Sequence, residues 1–179
     1  MKRNGYFWVS VLVILLDQAT KLRVKYFMEL GESISIIGDF FRLTYVTNTG
    51  AAFSLSFGDG LFNRIFFLTV PVIAIIILLI LMIKTKQSTL SHVSFALILG
   101  GAVGNYIDRI VHGSVIDFLD FDFIDIIIER WPVFNVADSA VVIAFILLFT
   151  EILVLDPLKA RKGKNVTEPQ MSSTDVINK

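Results

Sequence analysis

Residues 65–83 read IFFLTVPVIAIIILLILMI, nineteen consecutive side chains without a formal charge. A transmembrane helix needs about 20 mostly apolar residues, so this stretch predicts a membrane span. The rest of the chain agrees, because 55% of its 179 residues are apolar and only 18% are charged. Soluble domains have roughly 45–50% apolar and about 25% charged residues. The composition therefore predicts an integral membrane protein.

Three further apolar runs lead us to expect an all-α integral membrane protein with four transmembrane helices. The third run contains Gly100, Gly101 and Gly104, and small residues at this spacing let helices approach closely in lipid. The first run starts with Lys2 and Arg3, as a secretory signal peptide would. It continues into DQATK at residues 17–21 rather than a small-residue cleavage site, so we expect an uncleaved helix. The predicted spans are residues 5–25, 63–83, 92–109 and 137–155.

Four spans place both termini on the same side of the membrane. That side holds nine Lys and Arg residues against seven on the other, so the positive-inside rule predicts cytoplasmic termini. Residues 1–155 are predicted to form a single membrane-embedded domain, and residues 156–179 a disordered cytoplasmic tail. The connection 27–61 is rich in β-branched and aromatic residues around turn signals, which predicts a small extracytoplasmic sheet. The connection 108–137 is expected to form an extracytoplasmic loop or helix.

The charge and cysteine counts exclude several classes of function. Sixteen basic and sixteen acidic residues give zero net charge, which argues against a nucleic-acid partner. The absence of cysteine removes disulfides, thiolate nucleophiles and zinc–thiolate sites. His92 and His112 are too few for a histidine-rich metal centre. These counts therefore argue against a metal centre of that kind.

Polar residues interrupt the apolar runs where these reach the non-cytoplasmic side. Ionisable groups at membrane depth are costly and mark function by default. The residues concerned are Asp17, Asn105, Asp108, Arg109, Asp117, Asn135 and Asp138. Lys21 lies one helical turn after Asp17 and can pair with it.

Each of these groups also has a purely structural interpretation. Asn135 and Asp138 have the spacing of a capping box at a helix N-terminus. Asn105, Asp108 and Arg109 could form an ion-pair cluster that ends the third span. Asp117 is followed by Asp120, Asp122 and Asp125, and a solvated acidic loop is the default expectation there. Lys21 could instead activate a serine nucleophile, for which the candidates are Ser54, Ser56 and Ser139.

The residues alone thus predict that two or more carboxylates converge near the outer leaflet. They leave the function open. Such a pair can perform acid–base chemistry, or it can carry protons in a carrier or channel subunit. A non-catalytic scaffold is a third possibility.

At the same positions the sequence resembles the bacterial lipoprotein signal peptidases, or signal peptidase II. Four blocks carry the resemblance in order: DQATK at 17–21, NTGAAFS at 48–54, GGAVGNYIDR at 100–109 with VIDF at 115–118, and FNVADSA at 134–140. The third and fourth blocks are specific, whereas the first is weak alone. Together the blocks extend the resemblance over residues 5–155.

The resemblance implies an aspartic endopeptidase of the bacterial cytoplasmic membrane. Its substrates would be prolipoproteins whose lipobox cysteine carries a diacylglyceryl group, and it would cut on the amino side of that cysteine. By position in the blocks, Asp117 and Asp138 correspond to the catalytic pair. Chemistry by such a pair implies neither a metal ion nor an organic cofactor. Membrane lipids are the other expected partners, and a monomer is expected. The supporting residues implied by the resemblance are Asn48, Gly50, Asn105, Arg109, Asn135, Asp17 and Lys21.

Overall fold

The computed structural model describes residues 3–50, 60–84, 88–122 and 131–157. Its helices are α1 (Phe7–Phe27), α2 (Gly60–Lys84), α3 (Thr89–His112) and α4 (Val136–Thr150), with a π-helical turn at Glu151–Leu155. Its strands are β1 (Ser33–Ile37), β2 (Phe41–Asn48) and β3 (Val115–Phe121). The helix bounds agree with the four apolar runs to within a few residues.

Helix α3 is the centre of the helical part and packs against α1, α2 and α4. Glycine makes these contacts close. A Cβ atom at Gly100 would lie 2.7 Å from the Cβ of Val13 in α1, and one at Gly101 would lie 2.5 Å from the carbonyl oxygen of Ala137 in α4. The expected role of the glycines in the third span, close helix packing, is confirmed.

Three helices in the described ranges are long and apolar enough to cross a membrane: Ile65–Lys84, Thr89–His112 and Val136–Leu155. The outer faces of α2 and α4 expose large apolar side chains, among them Ile77 and Phe149. Helix α1 is not among the three, because its second half carries Asp17 and several basic residues. Four spans therefore remain a prediction, of which three are supported.

The three strands form one antiparallel sheet in the order β1-β2-β3. The predicted small sheet is confirmed, and its third strand comes from the segment that follows α3. Val46 of β2 lies opposite Asp117 of β3. On the other edge of β3, the segment before α4 pairs through Phe134, which exchanges two backbone hydrogen bonds with Leu119. Strand β3 therefore connects β2 to the start of α4.

The solvated acidic loop expected from Asp117 onward is wrong for its first part. Val115–Phe121 is a strand, and within it Asp117 and Asp120 are only 3% and 5% exposed to solvent. Pairing on both edges and packing against Val24 of α1 cover this strand. The remainder of that prediction, residues 123–130, lies outside the described residues.

Two other predictions also fall mostly or wholly outside the described part of the chain. These are the disordered tail beyond residue 157 and the serine candidates Ser54 and Ser56.

Candidate active site

Asp117 is held by two asparagine side chains from different elements. Its Oδ1 accepts a hydrogen bond of 2.6 Å from Nδ2 of Asn135. Its Oδ2 accepts one of 3.3 Å from Nδ2 of Asn48, at the end of β2. Burial on β3 and the neighbouring charge of Asp138 raise the pKa of Asp117 to about 7, although the two asparagine donors and the Lys21 charge oppose the shift. Asp117 can therefore hold a proton near neutral pH.

Asp138 lies in the first turn of α4 and forms the predicted capping box with Asn135. The Oδ1 atom of Asn135 accepts a hydrogen bond of 2.9 Å from the backbone N–H of Asp138. In return, Oδ2 of Asp138 accepts one of 3.3 Å from the backbone N–H of Asn135. Oδ1 of Asp138 also accepts a 2.8 Å bond from Nδ2 of Asn105 in α3. The helix N-terminus and these donors fix the position of the Asp138 carboxyl group.

Asn135 connects the two carboxyl groups. It has no solvent exposure, and it donates to Asp117 while its cap geometry holds Asp138. Its Nδ2 also lies 3.0 Å from Oδ1 of Asn105, so the two amides orient one another. The predicted capping box is confirmed, and the same residue also contacts Asp117.

Three charged side chains of α1 and α3 form a buried cluster next to Asn105. The Nζ atom of Lys21 lies 2.8 Å from Oδ2 of Asp17 and 3.0 Å from Oδ2 of Asp108. All three residues are at most 2% exposed. The predicted pairing of Asp17 with Lys21 is confirmed. Asp108 pairs with Lys21 of α1, so the cluster expected within the third span instead joins two helices.

Arg109 points away from this cluster, towards the turn that follows β2. Its guanidinium donates to the carbonyl oxygen of Gly50 at 3.2 Å and to that of Asn105 at 3.3 Å. It also lies over the ring of Phe67 in α2, 5.7 Å from the ring centroid. Gly50 in turn donates its backbone N–H to Oδ1 of Asn48 at 3.0 Å, which orients the amide of Asn48 towards Asp117. Arg109 and Gly50 therefore support the site through Asn48.

Gln18 is a site residue that the sequence did not single out. Its Nε2 lies within 3.2 Å of Oδ2 of Asp17, Oδ1 of Asp108 and the carbonyl oxygen of Gly104. Its place next to Asp17 in the DQATK block was the available signal. The serine alternative finds no geometric support at Ser139, whose hydroxyl donates to the carbonyl oxygen of Asn135.

The site is thus assembled from α1, β2, α3, β3 and α4, and it brings together every supporting residue that the sequence resemblance implied. Within the described residues, no group of three or more His, Cys, Asp or Glu side chains could hold a metal ion. The model of the Peptidase_A8 family, signal peptidase (SPase) II, matches residues 9–154 of the chain.

The chain belongs to the signal peptidase II family.

Curated members of the family cover almost the same length. The lipoprotein signal peptidase of Halothermothrix orenii is 49% identical over 140 residues, which cover 78% of this chain and 89% of that protein. The lipoprotein signal peptidase of Enterococcus faecalis is 40% identical over 163 residues, covering 90% and 95% of the two chains. A member of this family is a peptidase. The alternative of a proton-coupled carrier or channel subunit finds no support.

Solved structures agree with this assignment. A bacterial membrane enzyme with 33% sequence identity superposes with a TM-score of 0.74, covering 84% of this chain and 88% of that one. A second bacterial membrane enzyme structure, also 33% identical, gives 0.73 over 84% and 94% of the chains. Together with the three apolar helices, these similarities make this signal peptidase II family member a multi-pass membrane protein.

Proposed function

We propose that this member of the signal peptidase II family is an aspartic endopeptidase in which Asp117 and Asp138 are the catalytic residues. As a member of its family it removes signal peptides from prolipoproteins. The observation that carries the aspartic assignment is the bridge through Asn135, whose side-chain Nδ2 donates to the Asp117 carboxyl group and whose backbone N–H donates to that of Asp138. The charge of Asp138 raises the pKa of Asp117, so the two carboxyl groups cannot both ionise cheaply, and a shared proton is the basis of aspartic-protease chemistry.

The hydrogen bonds divide the two roles. Asp138 accepts hydrogen bonds from Asn105 and from the backbone N–H of Asn135, and its role is that of the base that takes a proton from the attacking water. Asp117, whose pKa is raised to about 7, holds the proton that polarises the scissile carbonyl. A bond forms between the water oxygen and the carbonyl carbon. The C–N bond then breaks, and a carboxyl group returns a proton to the leaving amine.

We further propose that the substrate is a prolipoprotein whose lipobox cysteine carries a diacylglyceryl group, cut on the amino side of that cysteine. The chain would lie in the bacterial cytoplasmic membrane as a monomer with four spans, α1 being the fourth. Its termini would be cytoplasmic and the catalytic pair would lie near the extracytoplasmic face. Lipid anchoring supports this choice, because each buried methylene contributes about 0.8 kcal/mol to holding the cysteine at the membrane.

The test is cleavage of a lipobox peptide by purified protein in detergent. Asp117→Asn and Asp138→Asn should each lower kcat by about 10²–10⁴-fold or more, because an amide cannot exchange the required proton. Asp120→Asn is the matched control: it lies on the same strand, is equally buried, and accepts a hydrogen bond from Thr44 that an amide oxygen can also accept. It should retain most activity.

The same assay tests the substrate. A peptide with a diacylglyceryl-modified cysteine should be cut much faster than the unmodified peptide. Substantial activity in either Asp→Asn variant would refute the catalytic assignment. Equal rates on the two peptides would refute the dependence on the lipid while leaving the catalytic pair in place.

A further inference from the structure

Lys21 carries a buried ammonium group that donates to three acceptors and is almost fully shielded from solvent. It is 1% exposed, and its Nζ lies 2.8 Å from Oδ2 of Asp17, 3.0 Å from Oδ2 of Asp108 and 2.8 Å from Oδ1 of Asn105. A lysine ammonium has three donors and no acceptor. All three donors are therefore used, and every partner must present an oxygen.

Each of these partners hydrogen-bonds either to a catalytic aspartate or to the backbone of the residue before one. Oδ1 of Asp17 accepts a 3.0 Å hydrogen bond from the backbone N–H of Ala137, the residue before Asp138. Oδ2 of Asp108 accepts a 3.0 Å bond from the backbone N–H of Ile116, the residue before Asp117. The third partner, Asn105, donates directly to Asp138.

We propose that Lys21 is the positioning residue of the catalytic pair, holding through Asp17 and Asp108 the two backbone segments that carry Asp138 and Asp117. This inference rests on the proposed function. One ammonium group fixes the separation of two aspartates that come from different elements, β3 and α4. It also fixes the orientation of the Asn105 amide. Because the Lys21 ammonium can only donate, the amide oxygen must face Lys21, and the amide nitrogen then faces Asp138.

The charge of Lys21 is needed for this arrangement, because it balances one of the two carboxylates beside it. Buried carboxylates without a positive partner are strongly destabilised and take up protons instead. A protonated carboxyl is a weaker acceptor for the backbone N–H groups of Ala137 and Ile116 than a carboxylate. Loss of the lysine charge would therefore loosen both catalytic segments at once.

Lys21 also acts on Asp117 through its field. The charged groups that face Asp117 are Asp138 of α4, Lys21 of α1 and Arg109 of α3. Asp138 raises the pKa of Asp117, whereas the Lys21 charge lowers it. Removing that charge raises the pKa of Asp117 further, so the protonated form persists to higher pH. The alkaline limb of the pH profile should move in that direction.

The experiment measures kcat, KM and the pH profile of kcat/KM with the diacylglyceryl-modified lipobox peptide. Lys21→Met should lower kcat by about 10²-fold, the cost of misplacing a catalytic group by about 1 Å, with little change in KM. Its alkaline limb should shift to higher pH. Lys25→Met is the control, because it removes one positive charge from an exposed position on the same helix, where Lys25 lies 3.4 Å from Nδ1 of His112.

A second variant guards against misfolding. Lys21→Met with Asp17→Asn leaves the cluster with one negative charge from Asp108, the same net charge as in the wild type. It should show a reduced kcat and a smaller alkaline shift than Lys21→Met, because the lost Asp17 charge offsets part of the lost Lys21 charge. Wild-type kcat in folded Lys21 variants would overturn the proposal, and so would a lower kcat with an unmoved alkaline limb, which marks a structural residue only. Active Asp117→Asn or Asp138→Asn variants would instead refute the proposed function itself.

Discussion

Gly101→Ala tests whether the spacing of α3 and α4 controls the catalytic geometry. A Cβ atom at this position would lie 2.5 Å from the carbonyl oxygen of Ala137 and 2.8 Å from Cγ2 of Val141, both in α4. The first of these is a backbone atom in the turn that carries Asp138. No side-chain rotation relieves such a contact, so the start of α4 must move.

The size of the effect follows from these distances. Restoring an ordinary contact of 3.4 Å from 2.5 Å requires a displacement of about 0.9 Å. Overpacking of this kind costs about 1–3 kcal/mol of stability. A shift of about 1 Å in a catalytic group can lower the rate about 10²-fold, which corresponds to about 2.7 kcal/mol in the activation barrier. We therefore expect a folded but less stable protein whose kcat falls about 100-fold.

The assay compares kcat and thermal unfolding of purified Gly101→Ala with those of Gly100→Ala. A Cβ atom at Gly100 clashes as closely, at 2.7 Å from the Cβ of Val13, but against α1 on the other side of α3. Gly100→Ala should lose similar stability and less than about tenfold in kcat. Wild-type turnover in folded Gly101→Ala, or an equal loss of turnover in both variants, would refute the reasoning.

Two further predictions concern pH and topology. Cleavage should decline as the pH rises above about 7, because Asp117 must hold a proton and its pKa is raised to about 7; a kcat/KM that stays flat from about pH 6 to 9 would contradict the acid role of Asp117. In this cysteine-free chain, Asp39→Cys between β1 and β2 should react with a membrane-impermeant thiol reagent added from outside, whereas Thr89→Cys at the start of α3 should not. The reverse labelling would place the catalytic pair on the cytoplasmic side.

Local patterns in the chain predicted its helices well. The uncharged run at residues 65–83 lies within α2, Gly60–Lys84, because a run that long is stable in lipid only as a helix. The pairing of Asp17 with Lys21 was also predictable, since residues four apart on a helix are neighbours. The same holds for the capping box at Asn135, which depends on atoms three residues apart.

The burial of Asp117 was not predictable in this way. Its surroundings in the sequence are acidic, and only pairing with β2 and with Phe134 removes the strand from water. Pairing partners of a strand are set by contacts between distant parts of the chain. Family resemblance distinguished Asp117 from Asp120 and Asp122, whereas periodicity alone did not.

The amino-acid sequence by itself thus determined the membrane helices, the local caps and the residue types of the candidate site. Only the tertiary structure decided that Lys21 pairs with Asp108 as well as Asp17, and that Asn135 bridges Asp117 and Asp138. The physical reason is range: helix formation and capping depend on neighbours within about one turn, whereas these contacts join α1 to α3 and β3 to α4. Close packing at Gly101 and Gly104 brings these helices near enough for such contacts.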